Sequence, residues 1–476
     1  MFADYEVDDF YDEMMKTKGV PRKHYQSFFE KVKRMPADEL KSRYSLAQSD
    51  FLRQGITFTV YSGNEGTERT MPFDFVPKIM PYQEWTQLEA GLTQRIKALD
   101  AFLEDVYHEM AILKDGVIPR ELIVTCPHFF HQLAGTQVPG GKHIFLAGID
   151  LIRDEEGEYR VLEDNLRNPS GLSYVFQNRY VMRKTFPEFF YDYSVRSLEQ
   201  QFSNLLAALE SFASKGVKDP KIVLLTPGIY NSAYYDHSFL AQQMGIELVE
   251  GRDMLVSNRK VYMKTTRGLK RVDVIYRRID DEFLDPLEFR GDSLLGVAGL
   301  MDAYRAGNVS ILNAVGNGVA DDKAVYHYVP DMIRYYLKEE PLIQNVRTYF
   351  LNDPEQRAYV LDHLEELVVK QKNASGGYGM LIGPHADQGE LDLFRRLIRQ
   401  NPDTFIAQPT IKLSRSPAFR TDCFKGCHVD LRAFVINGDE PKIFPGGLTR
   451  VALKEGSLVV NSSQGGGAKD TWVLDD

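Results

Sequence analysis

The chain has 476 residues, with 57 Lys and Arg against 67 Asp and Glu, a formal net charge of −10. That length suggests about three domains or subdomains and ample chain for a large core. The acidic balance argues against bulk nucleic-acid binding, which runs on clustered Lys and Arg. A small anionic ligand in a locally basic cleft stays open.

The first residues are acidic and carry no apolar segment of the kind a signal peptide needs. No uncharged apolar run approaches the roughly 18 residues of a membrane span. Cys126, Cys423 and Cys427 are too few and too uneven for a disulfide framework and read as structural. The expectation is a cytoplasmic protein with neither membrane nor nucleic acid as partner.

Residues 1–110 are expected to form a mainly helical region. Within 84–107, Leu88, Leu92, Ile96, Leu99, Leu103 and Val106 recur at spacings of three and four, which is one helical face. Residues 55–61 alternate and are β-branched, so they read as a strand. Residues 120–170 look β-rich, and 174–214 helical. At 221–228 an apolar strand ends in a Pro/Gly turn. A helix near 234–244 and strands at 246–249 and 272–276 follow, predicting a small βαβ unit with a parallel sheet. From about 310 short strands and helices alternate up to a Gly-rich segment, 462–467.

An acidic hairpin is predicted at 148–165, two apolar segments around a polar turn containing Gly157. A turn centred between Glu156 and Gly157 sets Asp150 opposite Glu163 and Gly148 opposite Asn165. Residues two apart on a strand point the same way, so Asp150, Glu163 and Asn165 share a face. Gly148 leaves room beside them. Opposed like charges destabilise a sheet, and a hard divalent cation would remove that cost. An exposed acidic face with water between the carboxylates is the other reading.

Residues 366–382 predict a strand carrying Lys370, a glycine-rich loop, Ser375-Gly376-Gly377-Tyr378-Gly379, and a second strand. This is no Walker A motif, and there is no convincing Rossmann fingerprint. Bare amides in such a loop can cradle phosphate beside a lysine charge; a flexible surface turn fits equally. At 427–436 polar and apolar residues alternate, so His428, Asp430 and Arg432 share a strand face.

Together these segments resemble the ATP-grasp superfamily in its circularly permuted type 2 branch, near glutathionylspermidine synthetase-like proteins, over nearly the whole chain. The motifs are Asp150…Glu163-x-Asn165, Asn313-Ala-Val-Gly-Asn317-Gly-Val-Ala-Asp-Asp-Lys323, Val369-Lys370…Ser375-Gly-Gly-Tyr-Gly379, Ile406-Ala-Gln408-Pro, Asp430-Leu-Arg432 and Asn461-Ser-Ser-Gln464-Gly-Gly-Gly467. The acidic motif precedes the nucleotide lysines, which is what the permutation implies.

The resemblance implies an α+β or α/β fold in four parts. These are the helical region 1–110, a metal-binding part of the core at 111–218, a pre-ATP-grasp-like βαβ substrate domain at 219–308 and a nucleotide-binding part at 309–476. It implies Mg²⁺ on Asp150, Glu163 and Asn165, and ATP phosphates on Lys323 and Lys370 under a loop containing Ser375, Gly376, Gly377 and Gly379. Gln408 would lie at the hinge segment, where backbone groups usually meet the adenine edge, Arg432 would neutralise the γ-phosphate, and Asn461 would line the cleft. Glutathionylspermidine synthetase-type proteins carry an Arg two residues before the first metal-binding Asp, where this chain has Gly148. No segment resembles the amidase domain that accompanies some of them.

The implied activity is an ATP- and Mg²⁺-dependent carboxylate–amine ligase working through an acyl phosphate, with small-molecule or peptide substrates. A kinase-like phosphotransferase and a catalytically inactive nucleotide-binding regulatory subunit are the alternatives. Arg277 and Arg278 are candidate substrate-carboxylate ligands, or a pair of surface arginines at a strand end.

Overall fold

A computed structural model describes residues 2, 5–62, 65–214, 216–372, 379–420, 422–453, 460 and 466–476. From the amino end its main strands are β1 (Phe73–Met80), β2 (Leu146–Arg153), β3 (Tyr159–Asn165), β4 (Ile222–Leu225), β5 (Glu247–Val249), β6 (Val274–Arg277) and β7 (Ser310–Leu312). Then come β8 (Leu367–Gln371), β9 (Leu381–Ile382), β10 (Phe405–Pro409), β11 (Arg415–Arg420), β12 (Cys423–Asn437), β13 (Pro441–Val451) and β14 (Gly467–Val473). Among the helices that pack on them are α1 (Tyr82–Tyr107), α2 (Leu172–Thr185) and α3 (Tyr234–Met244).

A large mixed sheet draws strands from distant parts of the chain in the order β3-β2-β12-β13-β14-β1. The short strand Gln344–Asn345 lies outside β3, and β11 pairs with β12. The 15-residue β12 has two faces. Leu431 and Val435 enter one apolar core with Ile149 and with Leu92 of α1. Phe434 and Ile436 enter the other, with Leu146, Phe75 and Trp472. Asp430 and Arg432 continue that second face past its apolar end, where the site lies.

The predicted helix forms as α1, and all six of its spaced apolar residues are buried. Mid-helix Gly91, worth about 1 kcal/mol less than Ala there, is where Ile343 packs. A Cβ at Gly91 would lie 2.4 Å from Ile343 Cγ1. Buried Arg95 of α1 grips Asp164 of β3 with two bonds of 2.7 Å. That pair turns Asp164 toward α1 and its neighbours Glu163 and Asn165 toward the opposite face.

Residues 1–110 are mainly helical, in Gln26–Arg34, Ala37–Arg53 and α1, but they also supply β1, a buried strand at the edge of the central sheet, parallel to β14. Pro77 lies within this strand, although proline cannot donate to a ladder. The ladder breaks between Lys469 and Thr471, and Pro77 falls in that break. Residues 111–145 form short helices and turns, so the β-rich stretch begins only at Leu146. The βαβ unit is present, with four parallel strands ordered β7-β6-β4-β5. Its edge strand β7 lies beyond the boundary drawn at 308. A separate antiparallel sheet sets β10 between β8 and the short strand Tyr349–Phe350, with β9 outside β8.

Candidate active site

The β2–β3 hairpin pairs Asp150 with Glu163 and Gly148 with Asn165. Nearer the turn the pairs are Leu151 with Val161 and Arg153 with Tyr159, so the turn centres on Glu156. A bulge past Asp150 leaves Leu162 without a partner and restores the outer register. Asp150 and Glu163 are direct cross-strand partners on one face of the hairpin. Two carboxylates that close both ionise only with a cation or a proton to offset their repulsion.

Strand β12 sets Arg432 opposite Asp150 on the other side of β2. Its guanidinium donates Nε to Oδ1 at 2.6 Å and Nη2 to Oδ2 at 2.8 Å, and Nη1 reaches the Ser170 carbonyl at 3.2 Å. Arg450 of β13 donates Nη2 to Asp150 Oδ2 at 2.7 Å and Nε to both Asp430 oxygens at 2.9 and 3.1 Å. Burial by itself would raise the Asp150 pKa. The Arg432 and Arg450 charges outweigh it and hold the carboxyl below the usual carboxylate range. At Asp430, burial together with the neighbouring Asp150 charge outweighs the Arg450 and Arg432 charges, so its pKa is raised.

Gly148 is explained by the same strand pair. A Cβ there would sit 2.9 Å from Pro169 Cβ and 3.3 Å from Arg432 Cδ. The room beside the carboxylates is where the Arg432 side chain crosses.

Lys323 follows Asp322, whose side chain accepts from the Ala324 and Val325 amides and starts the short helix Lys323–His327. Its Nζ is 3.7 Å from Glu163. Lys370, in β8, donates to Gln408 Oε1 at 2.8 Å. Loss of water pushes the Lys370 pKa down to about 8; Glu163 and Asp150 oppose that fall and Lys323 deepens it. Lys370 therefore stands in the field of both predicted metal carboxylates and of the other predicted phosphate lysine.

Gln408 lies in β10, beside Lys370 of β8. It is 3% exposed, and its side chain bridges Lys370 and the Thr348 hydroxyl, the latter at 3.1 Å. Gly379 has φ of +66°, the left-handed region that glycine occupies at low cost. Ser375, Gly376, Gly377 and Asn461 lie outside the described residues.

Arg277 is corrected outright as a candidate ligand. It is completely buried, and its guanidinium donates to the carbonyls of Asn313, Ile279 and Ala314 at 2.7, 2.9 and 3.1 Å. Asp281 pairs with it at 3.1 Å, so it is consumed by the fold. Arg278 is also buried, 3% exposed, so the pair are not surface arginines. Asn313 is a second fastener. Its side chain accepts from the Phe145 and Leu146 amides and donates to the carbonyls of Leu146, Leu166 and Arg167.

Arg450 and the Asp430 carboxylate were not singled out as site residues from the sequence. The available signal was the alternation Leu448-Thr449-Arg450 in a second strand, readable only once its pairing with β12 is known. Among the described residues no three His, Cys, Asp or Glu side chains cluster as a metal cage. The donors that suit a hard cation are two carboxylates and one amide. Asn165 Nδ2 is buried with no hydrogen-bond partner among the described residues. Turning that amide over would put an oxygen in its place. Asp150 already accepts three N–H bonds, and a carboxylate has about four lone-pair sites.

A fold that carries opposed carboxylates against arginines and lysines from far along the chain suits binding of a polyphosphate. The chain belongs to the circularly permuted ATP-grasp type 2 family, whose profile matches residues 77–452. It is 52% identical to an uncharacterized protein of Mycobacterium tuberculosis, over 100% of this chain and 86% of that one. A Synechocystis protein is 51% identical, over 99% of this chain and 98% of its own length. A Frankia casuarinae protein whose name proposes a glutamate–cysteine ligase is 41% identical. The match covers 97% of this chain but 53% of the Frankia protein, so that name belongs to a chain about twice as long. A solved structure of a glutathione synthetase-like effector from Globodera pallida superposes with a TM-score of 0.59. It covers 93% of this chain and 98% of its own, at 11% identity, a likeness of fold. No helix among the described residues is long and apolar enough to cross a membrane.

Proposed function

We propose that the protein is an ATP- and Mg²⁺-dependent carboxylate–amine ligase. The observation that carries this reading is Asp150, Glu163, Arg432 and Arg450 on one sheet face, with Lys323 and Lys370 of other elements close enough to act on Glu163. Family membership supports ATP as the phosphoryl donor, and the names of the Frankia and Globodera proteins point to ligase chemistry.

In this reading a substrate carboxylate oxygen attacks the γ-phosphorus of ATP, giving an acyl phosphate and ADP. An amine then attacks the acyl carbon, and phosphate leaves with the bonding electrons. Bound Mg²⁺ would be held by Glu163, Asn165 and the remaining lone pair of Asp150, and would screen the phosphate charges. Lys323 and Lys370 hold the β- and γ-phosphates, and Gln408 keeps Lys370 extended toward them. Arg432, already oriented by Asp150, neutralises charge on the transferring phosphoryl group. No side-chain nucleophile is required.

Calorimetric titration with Mg·ATP tests the nucleotide step. Binding is expected in the wild type and loss of binding in Lys370→Ala; a protein that never binds Mg·ATP sinks the reading. Once a substrate is in hand, oxygen-18 in its carboxylate should appear in the released phosphate, and its absence would exclude the acyl phosphate.

A further inference from the structure

Beside the candidate active site lies a second, incompletely satisfied polar cluster. Arg278, at the end of β6, approaches Asp236 of α3 to only 3.5 Å. Its other contacts are equally long, 3.3 Å to the Tyr276 hydroxyl and 3.4 Å to the Asn168 carbonyl. Arg278 Nε, Asp236 Oδ2, Ser173 Oγ and Asn168 Oδ1 are buried without a hydrogen-bond partner among the described residues. Arg278, Asp236 and Ser173 are 3%, 0% and 0% exposed. Native proteins leave few buried polar atoms unpaired. The adjacent Arg277 shows how fully this chain satisfies an arginine when its role is structural.

The place suits a ligand. The carboxyl ends of β4 and β6 form the edge of a parallel sheet where open α/β folds bind small molecules. The turn 168–171 leads into α2 and joins the cluster to the active site: Arg278 donates to the Asn168 carbonyl and Arg432 to the Ser170 carbonyl.

We propose that this cluster binds the head group of an α-amino acid, its carboxylate on Arg278 and Ser173 and its ammonium on Asp236 and Asn168. The charges select for this. A phosphate or a plain dicarboxylate meets repulsion from Asp236, and a polyamine meets it from Arg278. A head group held at both charges has neither its carboxylate nor its amine free to react. The group presented to Arg432 is therefore a side-chain carboxylate, and the substrate is an acidic amino acid. This assignment rests on the ligase reading above and names its acid.

The test is calorimetry on the full chain without nucleotide, with L-glutamate and L-aspartate as probes. Glutarate, which lacks the ammonium, and γ-aminobutyrate, which lacks the α-carboxylate, are the comparisons. At least one amino acid is expected to bind, with both comparison compounds at least about tenfold weaker. Arg278→Lys and Asp236→Asn should each weaken it by about 10- to 100-fold. Circular dichroism reports whether they fold, and the milder Ser173→Ala, expected to weaken binding several-fold, serves if they do not. A wild type that binds Mg·ATP but neither amino acid overturns the inference, as does equal binding of glutarate or unchanged affinity in the folded variants. Amino-acid binding without Mg·ATP binding would instead sink the ligase reading and leave this site standing. Binding of neither would overturn both.

Discussion

The Asp150 carboxylate holds the Arg432 guanidinium through a two-bond fork, although the residues stand 282 apart in the chain. A fork of this kind fixes direction as well as charge. The arginine proposed to meet a transferring phosphoryl group is thus aimed before any phosphate arrives. Arg432→Lys keeps the charge and loses the fork. Once a substrate is identified, turnover should fall by about 10²–10³-fold, with Mg·ATP affinity changed much less. Steady-state kinetics beside calorimetry separate the two effects; an equal loss in both would mean Arg432 acts in ground-state binding.

Arg450 is the shared partner of Asp150 and Asp430. Truncating one member of a buried ionic network leaves uncompensated charge, at a cost of about 3–5 kcal/mol. Arg450→Met should therefore lower the urea midpoint strongly. Asp430→Asn made in the same chain should recover part of the loss, because one orphaned charge disappears with it. Strict additivity would mean the two side chains act independently.

Gly148→Ala places a methyl 2.9 Å from Pro169 Cβ and 3.3 Å from Arg432 Cδ. Overpacking typically costs about 1–3 kcal/mol, and here the softer neighbour is the arginine side chain. Thermal unfolding should shift modestly while the reaction slows by a larger factor. A variant with unchanged activity would show that Arg432 can leave its seat over Gly148 without consequence.

Lys370 titrates low, at about 8, chiefly because it is withdrawn from water. Below that pH its ammonium is charged and, in the proposed role, pairs with phosphate; above it the charge is lost. Mg·ATP affinity should fall as pH climbs through 8, and Lys370→Arg, which keeps its charge, should flatten the fall. Stability runs the other way. A folded pKa below the ordinary 10.5 means the unfolded chain binds more protons between those values. The nucleotide-free protein should therefore gain stability as pH rises across that window. An alkaline loss of affinity that persists in Lys370→Arg would move the titration to another group.

Local pattern carried a good deal. The face of α1 was legible because helical spacing is a property of the chain itself. The pairing of Asp150 with Glu163 was legible because a hairpin's partners are near in sequence, though an unforeseen bulge at Leu162 was needed to keep it. Strand β1 was not read from the sequence; it carries Pro77, whose missing donor is tolerated where the ladder with β14 breaks. Arg277 and Arg278, adjacent in the chain, were indistinguishable there. One is clamped by carbonyls and the other left underbonded, because a strand turns successive side chains to opposite surroundings.

By itself, then, the sequence determined the acidic hairpin, the parallel βαβ unit and the residue types that suit phosphate and a hard cation. Each is written in spacing over a few residues. Only the tertiary structure decided that Arg432 and Arg450 close on Asp150, that Gln408 serves Lys370, and that Arg278 faces Asp236. Those partners are brought together by non-local strand pairing and packing, whose register depends on the burial of whole faces rather than on local periodicity.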